Sequence, residues 1–136
     1  MSQQTVEIVR RSLDAWNRRD IAGALALVDA EAEYVNPASA VEPRTRRGTS
    51  ELTAVLRAQW EALTDGRWEI DRIHDRGEEV IAVGRMSRRM PRSDARIEDQ
   101  VLSSWKISSG KVVRVETLGF GRAEVQTALE AAGLRE

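Results

Sequence analysis

The chain has 136 residues, enough for one domain (1–136) with a buried core. Apolar residues make up 41% and charged residues 32%, which predicts a globular protein with a heavily charged exterior. The formal net charge of −1 excludes a general attraction to nucleic acid or to a membrane surface. Cysteine is absent, so disulfides and thiol catalysis are excluded. The N-terminal sequence MSQQTVEIVRRSL lacks the apolar core of a signal peptide, and we expect a cytoplasmic protein.

Helical patterns dominate the first half of the chain. Apolar residues three or four positions apart predict a helix over residues 3–17 and a shorter one over 21–28, with Asp20 as the N-cap of the second. The clearest apolar stripe predicts a third helix over 49–63, and the polar Gln59 lies inside that stripe.

Period-two patterns dominate the second half. They predict four strands joined by tight turns, over residues 67–76, 79–90, 96–108 and 111–119. A short strand over 34–36 precedes the third helix, and a helix over 123–132 closes the chain. Three helices followed by four consecutive strands predict an α+β fold, in which a curved antiparallel sheet carries the helices on one side and encloses a cone-shaped cavity.

The segment AEYVNPASAVEPRTRRG, residues 32–48, is the most informative part of the sequence. Because strand side chains alternate, Tyr34 and Asn36 point to one face and Val35 to the other. A phenol and a carboxamide aimed at a core are costly unless a partner satisfies them, and a ligand or water in a pocket can do so. The alternative is a core tyrosine beside an asparagine that caps the loop at Pro37.

Ionisable residues on the strands give three further candidates. Asp99 could act as a general base in an apolar cavity, or it could be an exposed acid paired with an arginine. Glu116 alternates with Val115, so it faces away if the valine face lines the cavity. His74 is the single histidine; its charged neighbours predict a surface position, and the absence of clustered ligands argues against a metal site.

Two groups of arginines could bind a carboxylate or phosphate, or could form a solvated sheet edge. One group lies in the predicted loop after Pro43 and the other lies on or after the second long strand: Arg44, Arg46, Arg47, Arg85, Arg88, Arg89 and Arg92. Aromatic residues do not interleave with them, so a nucleic-acid surface is not predicted.

We expect an apolar small-molecule site with few polar groups. Its predicted lining is Trp16, Trp60, Met86, Ser103, Trp105, Val115 and Thr117.

Several short motifs occur in a characteristic order: Ala-Trp-Asn-Arg-Arg-Asp at 15–20, Tyr-Val-Asn-Pro at 34–37, Gly48 at a helix start, and Trp105 before Ser-Gly-Lys-Val-Val at 109–113. Over nearly the whole chain this order resembles the nuclear transport factor 2-like superfamily, in its SnoaL-like and ketosteroid isomerase-like branch. The resemblance implies a cystatin-like α+β roll, in which a curved sheet wraps around three helices from the N-terminal half.

The resemblance to ketosteroid isomerases does not extend to their catalytic groups. Their base aspartate falls at Asn36, their oxyanion-hole tyrosine at Ser12, and their protonated acid near Ser103. Since none of these residues supplies the required group, the sequence predicts against steroid isomerisation by that mechanism.

Two other branches resemble the chain in part. Limonene epoxide hydrolase-like proteins hold a water with a Tyr-x-Asn pair, which Tyr34 and Asn36 match, but their acid positions fall at Thr117 and near Met86. SnoaL-like cyclases close rings by proton transfer with an acid in the cavity, and Asp99 is the best surviving acid.

The resemblance therefore implies a site for a hydrophobic, oxygen-bearing small molecule. Catalysis would be cofactor-free proton transfer or water addition, as in a cyclase, isomerase or hydrolase, with Tyr34 and Asn36 orienting the ligand and Asp99 as base. The alternatives are a non-catalytic binding module and an interaction protein that uses the outer sheet face. A homodimer through that face is expected.

Overall fold

The computed structural model describes residues 2–36 and 44–134. Its elements, in chain order, are α1 (Ser2–Asn17), α2 (Ile21–Ala26), β1 (Val28–Asn36), β2 (Arg44–Arg47), α3 (Gly48–Ala62), β3 (Arg67–Arg76), β4 (Glu79–Arg89), β5 (Arg96–Ser108), β6 (Lys111–Phe120) and α4 (Arg122–Ala131). The predicted α+β fold is confirmed. Pro37 and Pro43 lie outside the described residues.

The six strands form one curved sheet in the order β2-β1-β6-β5-β4-β3. Strands β3 to β6 form the predicted antiparallel meander. The sequence assigned no pairing to β1, and the structure pairs it in parallel with β6. The long chain between these two strands provides the crossover that a parallel pair requires.

The first half of the chain contains more strand than its pattern predicts. The second helix ends at Ala26, because the chain enters β1 at Val28 and stays extended to Asn36. Residues 44–47, placed in a loop by the sequence, form β2 and pair antiparallel with β1. The sequence Arg-Thr-Arg-Arg has no apolar alternation that would indicate a strand. It forms β2 nevertheless, because backbone pairing with β1 at the sheet edge does not require apolar side chains.

Helices lie on both faces of the sheet, so the predicted one-sided arrangement was wrong. The main core lies between the concave face and helices α1 and α3. A second core lies on the outer face, where α4 packs with Val125 and Leu129 against Ile81, Val83 and Leu102. Both faces of β4 and β5 are apolar here, and each face needs its own cover.

The end of α1 is fixed to the sheet by Asn17. Its side-chain amide donates to the Trp68 carbonyl at 2.9 Å, and its amide oxygen accepts from the Trp68 N–H at 2.8 Å. The predicted N-cap is confirmed, with Asp20 Oδ1 accepting from Gly23 N–H at 2.9 Å. Within residues 2–36 and 44–134, no helix has the length and apolar character needed to cross a membrane.

Candidate functional site

The concave face of the sheet and helix α3 enclose a cavity of about 390 Å³. Its polar groups come from four strands and from helix α3: Tyr34 and Asn36 from β1, Arg88 from β4, Asp99 from β5, Thr117 from β6 and Gln59 from α3. Apolar side chains complete the wall, among them Leu63, Trp68, Met86, Val101 and Phe120. A mostly apolar cavity of this size with few polar groups is typical of a small-molecule site.

A partly buried hydrogen-bond chain orients the hydroxyl group of Tyr34. The Trp16 indole N–H donates to Gln59 Oε1 at 2.9 Å, and Gln59 Nε2 donates to Tyr34 Oη at 3.2 Å. An indole can only donate, so the Gln59 amide must turn its oxygen to Trp16 and its nitrogen to Tyr34. Tyr34 therefore accepts from the protein and keeps its own O–H to donate into the cavity.

Burial raises the pKa of Tyr34 above its usual value of 10, while the hydrogen bond from Gln59 lowers it. Desolvation is the larger of the two causes, because the phenolate would lose more hydration than one amide N–H replaces. Tyr34 is thus a neutral hydrogen-bond donor at neutral pH.

The amide of Asn36 is held by the adjacent strand β6. Thr117 Oγ1 donates to Asn36 Oδ1 at 2.8 Å, and only 8% of the Asn36 surface is exposed. Because Thr117 donates here, its remaining oxygen lone pairs are available as acceptors at the cavity wall.

The two charges of the cavity stand close together. Asp99 Oδ2 lies 3.9 Å from the nearest guanidinium nitrogen of Arg88, with side-chain exposures of 37% and 34% respectively. Asp99 is directly opposite Met86 in the β4–β5 register, so its side chain shares the concave face with that apolar residue. This carboxylate is both ion-paired and open to the cavity.

A second, smaller cavity of about 60 Å³ lies between α1, α2, α3 and the sheet. Tyr34 and Trp68 contribute to the walls of both cavities. Ser12 lines the small one, and its buried hydroxyl has no hydrogen-bond partner among the described residues.

The predicted site residues separate into three groups. Tyr34, Asn36, Met86, Asp99 and Thr117 line the larger cavity. The smaller cavity is lined by Trp16, Trp105 and Val115, together with Tyr34.

The remaining predicted residues, Trp60 and Ser103, line neither cavity. The Trp60 indole donates to the Trp16 carbonyl at 3.0 Å, which joins α3 to α1. Ser103 is 1% exposed, and its hydroxyl accepts from the Trp105 indole at 2.8 Å. Both have structural partners.

Two other candidates lie away from the cavity. Glu116 pairs with Arg114 at 3.4 Å on the outer face, where strand alternation predicts it. His74 is opposite Ile81, a residue of the outer core, and is therefore on the outer face as well. No group of three or more metal-ligating side chains occurs among the described residues.

Sequence reasoning missed Gln59 and Trp68 as site residues, and it left Arg88 open between an anion-binding group and a solvated sheet edge. Each nevertheless carried a signal. Gln59 interrupts an apolar helical stripe, which places a polar group against the core. Arg88 is two residues after Met86 on β4 and so shares its face, while Trp68 opens the alternation of β3 on the inward side.

Comparison with known proteins establishes the family. The family model described as a SnoaL-like domain matches residues 9–115, and the chain belongs to this family. Among curated proteins, none matches the chain significantly.

Solved structures share the nuclear transport factor 2-like fold. TerC, co-crystallised with polyporic acid, has a TM-score of 0.77 at 21% identity, over 93% of this chain and 98% of TerC. A nuclear transport factor 2-like protein from Burkholderia thailandensis has a TM-score of 0.75 at 28% identity, over 92% and 96% of the two chains. A protein with a ketosteroid isomerase-like fold from Catenulispora acidiphila, in complex with trimethylamine, has a TM-score of 0.72 at 15% identity, over 95% and 94%.

Proposed function

We propose that the protein binds a hydrophobic carbonyl compound in the larger cavity and catalyses cofactor-free proton transfer on it. The observation that carries this proposal is the meeting of an oriented phenol, Tyr34, and a carboxylate, Asp99, in one largely apolar cavity of about 390 Å³. Proton abstraction next to a carbonyl needs a base and a donor for the developing oxyanion, and these two residues supply both.

The proposed step begins with the Asp99 carboxylate, which takes a proton from the carbon beside the ligand carbonyl. The C–H electron pair forms the enolate double bond, and the carbonyl π electrons move to oxygen. Tyr34 donates its O–H to that oxygen without losing the proton. Return of the proton from Asp99 to another carbon isomerises the ligand. Alternatively, the enolate carbon attacks a second carbonyl and closes a ring, and the alkoxide formed there takes the proton back from Asp99.

Asn36 and Thr117 would position the ligand beside the base. Their mutual hydrogen bond of 2.8 Å holds both groups at the cavity wall, where a hydroxyl or carbonyl group of the ligand could bind. Family membership supports the same class of chemistry, and TerC, a neighbour in fold, was co-crystallised with an acid, polyporic acid.

Hydrogen–deuterium exchange tests this proposal. 2-Tetralone, an enolisable bicyclic ketone, is incubated with the protein in D2O, and loss of its α-proton NMR signals is followed. We expect exchange to be faster with the protein than in buffer alone. With Asp99→Asn, exchange should be at least 100-fold slower than with the unmodified protein, because general base catalysis contributes a rate factor of about 10²–10⁴. Glu116→Gln, on the outer face, is the matched control. Exchange by Asp99→Asn at the unmodified rate would refute the assignment.

The second candidate function is ligand binding without catalysis. It is favoured by Asn36, Ser12 and Ser103 at the positions where ketosteroid isomerases carry their catalytic groups. Binding of 2-tetralone, measured by calorimetry, without accelerated exchange would favour this second function.

We further propose a cytoplasmic homodimer. The lack of cysteine fits a reducing compartment. Helix α4 occupies the apolar part of the outer face, so a second copy would contact the charged remainder around Arg114 and Glu116. Light scattering at low and high salt tests this, since a charged interface weakens as salt rises.

A further inference from the structure

Arg88 is the cationic side chain in the wall of the larger cavity. Its side chain is one-third exposed, and the nearest carboxylate oxygen, on Asp99, is 3.9 Å from the guanidinium group. This separation is too long for a hydrogen bond, so the pair attracts through space but leaves the N–H donors of Arg88 unused.

The neighbouring arginines are bonded more closely. Arg85 donates to Asp71 at 2.9 Å, and Arg89 lies 3.1 Å from Asp65. Arg96 donates to the Asp65 carbonyl at 2.7 Å. The Arg88 side chain has no hydrogen bond to any described residue, and Arg88 is the one of these four arginines that lines the cavity.

The charges of Arg88 and Asp99 cancel while Asp99 is ionised. If Asp99 accepts a proton from a bound ligand, Arg88 keeps its charge and loses its counter-ion. An oxyanion formed on the ligand by the same transfer restores the balance. In a largely apolar cavity this compensation is stronger than in water, because charges there are less screened.

We propose that the cavity selects ligands with an enol or phenol group, whose oxygen faces Arg88 and whose O–H donates a hydrogen bond to Asp99. This inference names the substrate class of the proposed function and rests on it. The apolar body of the ligand packs against Trp68, Met86 and Phe120.

A permanently charged ligand fits this arrangement less well. A carboxylate would enter beside the Asp99 carboxylate, and the like charges would repel. A neutral ligand that donates its O–H to Asp99 avoids this repulsion. The site should therefore favour naphthols over naphthoic acids of the same size.

Calorimetric titration with 2-naphthol, 2-methoxynaphthalene and 2-naphthoate tests the inference. We expect 2-naphthol to bind at least tenfold more tightly than the other two. Arg88→Gln should weaken 2-naphthol binding about tenfold, the effect of losing one charge-assisted hydrogen bond, and Arg88→Lys should weaken it less. Arg85→Gln, on the opposite face of the same strand, is the matched control and should bind like the unmodified protein.

Equal binding of 2-naphthol and its methyl ether, or unchanged binding by Arg88→Gln, would overturn the inference. Circular dichroism shows whether each variant is folded. If Arg88→Gln does not fold, Arg88→Lys, which keeps the charge, provides the test in its place. Exchange of 2-tetralone is measured in parallel. Exchange that persists while Arg88 has no effect on naphthol binding would refute the ligand class and leave the proposed proton transfer standing.

Discussion

The hydroxyl group of Tyr34, a half-buried side chain, is oriented by its neighbours. Tyr34 is the single tyrosine of the chain, and its hydroxyl accepts a hydrogen bond from Gln59 at 3.2 Å. Gln59 is itself fixed by the Trp16 indole at 2.9 Å. The direction of the Tyr34 O–H thus follows from the fact that an indole cannot accept a hydrogen bond.

Replacing Gln59 by Leu should raise the pKa of Tyr34 further, because the hydrogen bond that lowers it is lost while burial remains. The variant should also lose about 1–3 kcal/mol of unfolding free energy, since the buried Trp16 indole loses its acceptor. Alkaline titration of tyrosinate absorbance reports Tyr34 alone, and urea unfolding reports stability. An unchanged titration midpoint would contradict the hydrogen-bond chain.

The same raised pKa has a consequence for stability at high pH. Folded Tyr34 holds its proton more tightly than the unfolded chain does. Its contribution is therefore fully present below pH 10 and is lost as the pH rises through the folded pKa. Tyr34→Phe has no phenol to titrate. Between pH 10 and the folded pKa of Tyr34, the unfolding free energy of this variant should therefore fall less than that of the unmodified protein, as measured by urea unfolding.

Removing the side-chain hydroxyl of Ser12 should have the opposite effect on stability from removing the Gln59 amide. The Ser12 hydroxyl is buried and has no hydrogen-bond partner among the described residues, so its desolvation is uncompensated. Ser12→Ala should leave stability unchanged or raise it by about 1 kcal/mol. Ser103→Ala is the matched control, and it should destabilise because Trp105 loses its acceptor. Loss of stability in Ser12→Ala, measured by urea unfolding, would show that the hydroxyl has a partner.

At the level of elements, sequence pattern predicted best where local periodicity and tertiary burial agree. β3 and β5 have the predicted bounds, 67–76 and 96–108, because their alternation matches the two faces of the sheet. β2 was missed because four polar residues carry no period, and the β1–β6 pairing was missed because register between distant strands leaves no local trace. In the same way, Tyr34 and Asn36 were predicted from alternation within one strand, while Arg88 needed the knowledge of which face is concave.

Helix α4 gives a test of the outer core. Leu129 is 2% exposed and packs on the face of the sheet opposite the cavity. Leu129→Ala should reduce the unfolding free energy by about 2–5 kcal/mol through lost apolar contact and a residual cavity. Met90→Ala, at an exposed site, is the control and should change little. Naphthol affinity should be unchanged in Leu129→Ala at temperatures where it is folded; a large loss would contradict the separation of the two faces.

At the level of the whole molecule, the four tryptophans connect the helices, the sheet and the site. Ring centroids are 6.3 Å apart for Trp60 and Trp16, 6.0 Å for Trp16 and Trp68, and 6.0 Å for Trp68 and Trp105. These separations fall in the range of favourable aromatic contacts. Among the four rings, Trp68 lines the larger cavity, and Asn17 holds its backbone through two hydrogen bonds.

Trp68 should therefore report ligand binding for the whole protein. We expect 2-tetralone to quench tryptophan fluorescence and to raise the melting temperature, since a ligand that binds only the folded state stabilises it by mass action. Trp68→Phe should remove most of the quenching while keeping the melting shift, because phenylalanine preserves an aromatic wall. Trp60→Phe, outside both cavities, should keep both signals. Equal quenching in Trp68→Phe and the unmodified protein would mean that the ligand binds away from the cavity that contains Tyr34 and Asp99.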